Sequence, residues 1–329
     1  MEPLVSICCV TYRHEKYLAQ ALESFLRQQE DVPIEILAHD DASPDGTADV
    51  LRAYAAKYPN VIFPLYETEN QYRKGVAMDA TFNFPRARGR YIALCEGDDF
   101  WRDPHKLKLQ TDYLQAHPEC TFCFTNAVVH DESGQRPDRP FLPYYPADAA
   151  LLPPEGRTFT LDEIIPLSFL PTASFVFPRA ALERIPRAML TRPCPHGDLR
   201  LKLLLTGLGS AAYLPRETCV YRLNIAGSAM TSWGAEPPER TLARCESTLA
   251  MLSDVDELTK QQYTDSLQAL GDDYRRVMLL AAPTRAMAAL PDFCRAARGL
   301  TPSQRLKSLA KRALPASVWE GCKRALRRG

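Results

Sequence analysis

The sequence predicts an α/β protein with a Rossmann-like, mostly parallel central sheet, helices on both of its faces, and a helical C-terminal region. Three observations carry this. Short β-branched and cysteine-rich runs alternate with segments of helical period over the first hundred or so residues. Two acidic clusters, Asp40-Asp41 and Glu96 with Asp98-Asp99, fall where strands would end, and doubly wound sheets bind their ligands at strand C-terminal ends. After Trp233 the strand-like runs stop and the pattern is helical.

In chain order, Val5 to Val10 reads as the first strand, and Leu18, Ala21, Leu22, Phe25 and Leu26 recur at helical spacing behind it. Ile34 to Ala38 repeats the strand signal, the Ser43-Pro44-Asp45-Gly46 turn follows, and Val50, Leu51, Tyr54 and Tyr58 mark a second helix. Val61 to Tyr66 and Tyr91 to Cys95 are further strands. Asp103-Pro104 resembles an N-cap with proline at the first helical position, ahead of Leu107, Gln110, Tyr113 and Leu114. The polar, proline-rich stretch from Asp131 to Gly156 predicts a long surface loop or lid. Order resumes at Thr160, whose spacing to Glu163 fits a capping box. Thr172 to Phe177 predicts a strand, Leu199 to Leu205 a buried helix, and Cys219 to Leu223 a final strand.

Composition narrows the function classes. Lysine plus arginine equals aspartate plus glutamate at 40 each, so the basic excess expected of a dedicated nucleic-acid binder is missing. No run of about 18 apolar residues occurs, which argues against a polytopic membrane synthase. The opening residues lead straight into a strand with no basic leader, so a cytoplasmic location is expected. The 10 cysteines are scattered, several within strands, as reduced core thiols would be. Cys120 and Cys123, the one C-x-x-C, lie in a strand-like run whose odd spacing points them to opposite faces. A nicotinamide site would need a glycine-rich turn after the first strand, where Val10-Thr11-Tyr12-Arg13-His14 stands, and no glycine-rich loop ends in Gly-Lys-Ser/Thr.

Several residues are candidates for chemistry. Adjacent Asp98 and Asp99 suit the holding of a hard divalent cation, which takes about six oxygen ligands and needs only one or two protein carboxylates when phosphate and water supply the rest. The alternative is a solvated acidic turn. Tyr12 offers an aromatic surface or simply packs at a strand end, and Arg73 and Lys74 offer positive charge or a solvated loop. Asp198 opens an apolar helix, either as an N-cap or as a carboxylate projecting into a cleft. His196 reads as a polar residue near a turn.

The stretch Gly89-Arg90-Tyr91-Ile92-Ala93-Leu94-Cys95-Glu96-Gly97-Asp98-Asp99-Phe100-Trp101 resembles the strand and Asp-x-Asp region of family 2 glycosyltransferases. Val5 to Tyr12, Asp40 to Thr47 and Glu69-Asn70 extend the likeness, as do Asp198 before its leucine-rich helix, Gly207, Gly209 and the Tyr221-Arg222 pair, over about the first 230 residues. The resemblance implies a GT-A fold and transfer of a sugar from a nucleotide diphosphate donor to an acceptor hydroxyl, with inversion and a divalent cation, Mn2+ or Mg2+. It also implies a saccharide or lipid-linked acceptor, in polysaccharide or glycolipid assembly. It carries Thr11, Tyr12 and Asp41 to the nucleotide base, Asp98 to the ribose, Asp99 to the metal and Asp198 to the base that takes the acceptor proton. Ala42 stands in place of a frequent glycine, Glu96 in place of aspartate, Gln71 to Gly75 in place of a small-residue pattern, and Asn224 where histidine is typical of a loop that closes over the diphosphate through Ser228 and Ser232-Trp233.

The domain reading is a transferase domain over 1–232, with a nucleotide-sugar half over 1–130 and an acceptor half over 131–232, then a helical extension over 233–329. That extension ends in basic residues, Arg305, Lys307, Lys311, Arg312, Lys323, Arg324, Arg327 and Arg328, interleaved with Leu306, Leu309, Leu314, Val318, Trp319 and Leu326. Such a tail either completes a solvated bundle or rests on an anionic membrane. The competing function is a noncatalytic nucleotide-sugar-binding or scaffold protein that docks through this tail.

Overall fold

The computed structural model describes residues 2–167, 169–225, 237–282 and 285–313. Its strands are β1 (Val5–Thr11), β2 (Ile34–Asp40), β3 (Leu65–Tyr66), β4 (Tyr91–Leu94), β5 (Phe100–Trp101), β6 (Cys120–Asp131), β7 (Arg139–Pro140), β8 (Arg157–Phe159), β9 (Val176–Pro178) and β10 (Ser210–Leu223). The larger helices are α1 (Leu18–Leu26), α2 (Thr47–Lys57) and α3 (Lys106–Ala116); α4 (Leu161–Ile164), α5 (Arg179–Glu183) and α6 (Arg187–Thr191) are short, and α7 is Gly197–Gly207. The C-terminal region is α8 (Pro238–Leu258), α9 (Thr264–Ala281), α10 (Arg285–Ala289), α11 (Pro291–Ala297) and α12 (Pro302–Ala313).

All the strands join one sheet in the order β3-β2-β1-β4-β9-β6-β10-β5, with β7 added to β6 and β8 to β10. β3, β2, β1 and β4 run parallel, and β10 is parallel to β6. β9 sits antiparallel between β4 and β6, so the two parallel blocks are joined through one reversed strand. The run Val5-Ser6-Ile7-Cys8-Cys9 is buried on both faces, which is why it reads as continuous rather than alternating. Glu35 of β2 is buried as well; its carboxylate accepts from Ser6 Oγ at 2.6 Å and from Arg88 Nε at 2.7 Å, which offsets the cost of removing the charge from water.

Four local expectations change. The Val61–Tyr66 strand shrinks to Leu65–Tyr66 plus a bridge from Ile62 to Ile36, because Pro64 interrupts the ladder. The Thr172–Phe177 strand is a 3-10 turn at Thr172–Ser174 followed by β9; the turn frees Ala173 O for the Trp101 indole at 2.8 Å and Ser174 O for Gln110 Nε2 at 2.8 Å. Asp103 is not the N-cap of α3, which begins at Lys106 behind His105; its carboxylate accepts from His105 N at 2.9 Å and pairs with Arg216 at 3.1 Å. β10 runs over 14 residues instead of starting at Cys219, with register shifts near Leu214 and Glu217 that let polar Arg216 and Glu217 sit within it. The Thr160–Glu163 capping box forms as expected, with Thr160 N donating to Glu163 at 2.8 Å.

The helical region is built onto the sheet domain. Met251, Leu252 and Val255 of α8 and Leu267 of α9 belong to the same core as the sheet, and Asp254 accepts from Arg192 Nη2 at 2.7 Å. The expected division at 232/233 lies outside the described residues, as does the tail from Leu314 onward. No described helix is long and apolar enough to cross a membrane.

Candidate active site

The C-terminal ends of β1, β2 and β4 open on one edge, and the loops leaving them hold most of the candidate residues. Thr11 ends β1 opposite Asp40 of β2, and Thr11 O accepts the Asp41 N–H at 3.0 Å. Gly97 N donates back to Val10 O at 3.0 Å, which lays the Glu96–Asp99 loop across the end of β1. The approach requires glycine: a Cβ at Gly97 would stand 2.7 Å from Thr11 Oγ1 and 3.1 Å from His14 Nδ1. Both of those polar atoms are buried without a hydrogen-bond partner, so the turn encloses unmet hydrogen-bonding capacity beside the acidic loop.

The acidic loop is held from its far side by β5 and β10. Phe100 pairs with Val220 and Trp101 with Cys219, so Arg222 arrives two residues beyond, next to Asp99. Arg222 N donates to Asp99 Oδ1 at 2.9 Å and its guanidinium donates to the Asp98 carbonyl. The same guanidinium pairs with Glu132 at 2.8 Å and lies over the Phe100 and Tyr17 rings at 4.7 and 4.9 Å. Asp99 is only 4% exposed; the Asp98 side chain is 22% exposed, 3.5 Å from His14 Nε2. Burial, then the neighbouring Asp98 charge, pushes the Glu96 carboxyl up to about 8, and burial with Asp98 and Glu96 holds Asp99 well above the ordinary carboxylate range. Burial likewise lowers His14, against the pull of Asp98.

Asp198 lies in the first turn of α7, half-buried, while His196 is the N-cap and no side chain caps the helix. The capping alternative for Asp198 therefore falls. Its charge is among those that raise Glu96, which brings the first turn of α7 into the field of the acidic loop. Asp79, in a π-helical turn at Asp79–Asn83, acts on Glu96 too; burial pushes its own carboxyl up to about 6, opposed by Asn83 and Arg200.

Other candidates are placed differently from one another. Asp41 is buried, and its carboxylate accepts from Gln71 N at 2.7 Å and Tyr72 N at 3.1 Å, so a ligand N–H at this carboxylate would share it with the 3-10 turn at Tyr72–Lys74. Arg73 lies in that turn, exposed, with its N–H on Asn70 Oδ1 at 2.9 Å, and Lys74 pairs with Glu69 at 2.6 Å. Tyr12 is partly buried with the Arg13 guanidinium 5.4 Å from its ring centre. Asn224, in a left-handed conformation at φ 63°, donates to Asp131 Oδ1 at 2.7 Å; the loop beyond it, including Ser228, Ser232 and Trp233, lies outside the described residues.

Sequence reasoning gave no role to Arg222, His14 or Asp79. The Tyr221-Arg222 pair was a visible signal for the first; His14 and Asp79 sit in no pattern, because only chain folding brings them to the loop. Among the described residues, no three His, Cys, Asp or Glu side chains form a ready-made ion cage. The loop nevertheless fits a hard cation that draws most ligands from phosphate and water, since crowded, desolvated carboxylates gain most from a positive charge.

The family model "Glycosyl transferase family 2" matches residues 6–185. An uncharacterised protein of Mycobacterium tuberculosis, Rv1520, is 32% identical over 227 residues, 68% of this chain and 60% of that relative, so the alignment spans less than two thirds of its length. The putative teichuronic acid biosynthesis glycosyltransferase TuaG of Bacillus subtilis is 26% identical over 70% of this chain and 82% of its own. Among solved structures, S. aureus TarS 1-349 in complex with UDP-GlcNAc superposes with a TM-score of 0.59 at 15% identity, covering 99% of this chain and 92% of that one. The mannosyltransferase PcManGT of Pyrobaculum calidifontis, in complex with GDP-Man and Mn2+, gives 0.53 at 17% identity, covering 94% and 84%.

Proposed function

Because this chain belongs to glycosyl transferase family 2 and has the GT-A fold, we propose that it transfers a sugar from a nucleotide diphosphate donor to an acceptor hydroxyl. The observation that carries this is the junction at the sheet edge, where the Glu96–Asp99 loop crosses the end of β1 and the charge of Asp198, in the first turn of α7, acts on Glu96. Structural neighbours in complex with UDP-GlcNAc or with GDP-Man and Mn2+ support a nucleotide-sugar donor.

In this reading the end of β1 at Thr11, the Tyr12 ring and Asp41 surround the base, Asp98 accepts from the ribose, and Arg73 faces the phosphates. Asp99, beside Asp98, would hold a divalent cation, Mn2+ or Mg2+, which when bound supplies charge neutralisation for the leaving diphosphate. Arg222 fixes the Asp99 carboxylate and the Asp98 carbonyl before any ligand arrives, so little reorganisation is needed. Asp198 takes the acceptor hydroxyl proton as the acceptor oxygen bonds to the anomeric carbon. The bond from that carbon to the diphosphate oxygen breaks on the opposite side, which inverts the configuration.

We place the chain on the cytoplasmic side, in surface-polysaccharide or glycolipid assembly, with a saccharide or lipid-linked acceptor. Peripheral membrane contact draws support from α12, which exposes Leu306 and Leu309 beside a groove of about 330 Å³ lined by Leu279, Phe293, Arg298, Arg305 and Arg312.

The deciding experiment is donor hydrolysis and thermal stabilisation across UDP-, GDP- and dTDP-sugars, with Mn2+, Mg2+ or chelator. One nucleotide class should stabilise the protein, chelator and Asp99→Asn should abolish the effect, and Asp198→Asn should keep binding while lowering transfer at least a hundredfold. Absence of stabilisation by every donor, or stabilisation with no turnover of any donor, would sink the transferase reading and favour a noncatalytic scaffold, whereas full turnover by Asp198→Asn would remove Asp198 as the base.

A further inference from the structure

We propose that Tyr144 and Tyr145 form an aromatic platform for a sugar ring of the acceptor, so that the acceptor is an extended saccharide. This rests on the transferase reading and adds to it the substrate class on the acceptor side.

The segment carrying the pair is anchored, although its proline-rich sequence suggested a lid. β7 pairs with β6, Phe141 N donates to Ala127 O at 2.8 Å, and the Asn126 side chain closes a pair of bonds with the Leu142 backbone at 2.8 and 3.1 Å. Phe141 and Leu142 are buried, which fixes the two residues that follow Pro143.

From this anchor a row of rings leads outward from the acidic loop. Tyr221, the neighbour of Arg222, meets Phe141 edge-on at 5.2 Å; Phe141 meets Tyr144 at 5.4 Å; Tyr144 meets Tyr145 edge-on at 5.0 Å and Phe169 at 4.8 Å. Tyr221 feels the charges of Asp99, Asp98 and Glu96, so the inner end of the row lies at the acidic loop. The outer end is Tyr145, 48% exposed.

The same patch borders α7. Asp148 accepts the Tyr145 N–H at 3.0 Å and is among the charges acting on Lys202 of α7, whose ammonium donates to Leu167 O, two residues before Phe169. The platform therefore borders the acidic loop through Tyr221 and the helix that carries Asp198 through the Leu167–Phe169 segment, while Asp41 lies at the end of β2, across β1 and β4 in the sheet order. Three ring-to-ring steps put Tyr145 beyond the sugar being transferred and within reach of a chain that offers its end to Asp198.

The chemistry matches a pyranose. A sugar ring has an apolar C–H face bordered by hydroxyls, and a tyrosine offers an apolar face bordered by one hydroxyl that donates and accepts. Packing beneath Tyr144 holds the rings in place, so little side-chain entropy is lost when a sugar lands on them. Position beside the catalytic groups favours a substrate over a membrane as occupant.

The test uses the full chain with UDP or GDP and Mn2+, and saturation-transfer NMR against methyl glycosides and disaccharides of glucose, galactose, mannose and N-acetylglucosamine. Saturation should reach the C–H protons of at least one disaccharide, weaken about two- to tenfold in affinity with Tyr145→Ala, and persist with Tyr145→Phe and Tyr145→Trp. Nucleotide-dependent thermal stabilisation should be the same in all four proteins. Glycan contact that Tyr145→Ala leaves unchanged, no contact with any panel member, or loss of vesicle binding in Tyr145→Ala without loss of glycan contact would overturn the platform. Loss of nucleotide stabilisation in the wild-type protein would instead strike the transferase reading itself.

Discussion

His39 shows how one residue sets an acid limit on this protein. It is fully buried on β2, edge-on to Phe82 at 4.5 Å; neither ring nitrogen makes a hydrogen bond, and Nε2 lies 3.4 Å from the Glu67 carboxylate, a contact whose attraction for a protonated ring is outweighed by burial. Burial lowers its pKa from 6.5 to about 4, so the fold favours the neutral ring. Above about pH 6.5 both folded and unfolded chains carry it neutral and it costs nothing. As pH falls from there towards 4, the unfolded chain takes up a proton that the folded one refuses, and up to about 3 kcal/mol of stability is lost. Urea unfolding at pH 7 and pH 5 should show this loss, and His39→Gln should make the difference smaller; an unchanged difference would mean that other groups set the acid limit. At the same scale, the sequence marks Asp99 as a carboxylate at a strand end and Asp198 as one at a helix start, but not the partner of Asp99, because Arg222 lies more than a hundred residues away and meets it only through the β5–β10 pairing.

At the level of elements, the site depends on how closely β4 and its flanking loops approach β1. Gly89 is the tightest of these contacts: a Cβ there would stand 2.5 Å from Ser6 N and 2.7 Å from the Val5 carbonyl carbon, both backbone atoms that cannot rotate away. Gly89 N also donates to Ser6 Oγ, which in turn donates to Glu35. Gly89→Ala should destabilise by about 1–3 kcal/mol by forcing the strands apart, read as a lower urea midpoint with an unchanged slope. An unaltered midpoint would show that the Arg88-Gly89 turn can move without cost. The two-residue strand β5 has a comparable part: with Trp101 donating to Ala173 O and packing at a tilt against Phe25, ring centres 4.7 Å apart, it fastens the acidic loop between the sheet and α1.

For the whole molecule, the helical region is both core and surface. α8 and α9 complete the apolar packing behind α7, while α11 and α12 present the arginine-lined groove with exposed Leu306 and Leu309. If that face rests on membranes, the full chain should sediment with vesicles containing phosphatidylglycerol and not with phosphatidylcholine alone, and the double substitution Leu306→Glu, Leu309→Glu should release it. Equal sedimentation of wild type and double variant would remove membrane attachment through α12 from the account.

The class of fold, the order of strands and helices in the first half, the acidic loop after β4 and the presence of a buried helix behind Asp198 are legible in the chain alone, because these depend on short-range periodicity and on motifs a few residues long. Even there, Pro64 shortened β3 and the Trp101 indole turned a predicted strand at Thr172 into a 3-10 bend, since proline and a buried donor outweigh local propensity. Tertiary structure alone decided that β9 runs antiparallel through the sheet, that Arg222, His14 and Asp79 reach the acidic loop, and that a proline-rich stretch becomes an anchored row of aromatic rings beside α7. Those facts arise from pairings across tens to hundreds of residues, where a side chain's neighbours are set by sheet order and burial and leave no periodic trace in the chain.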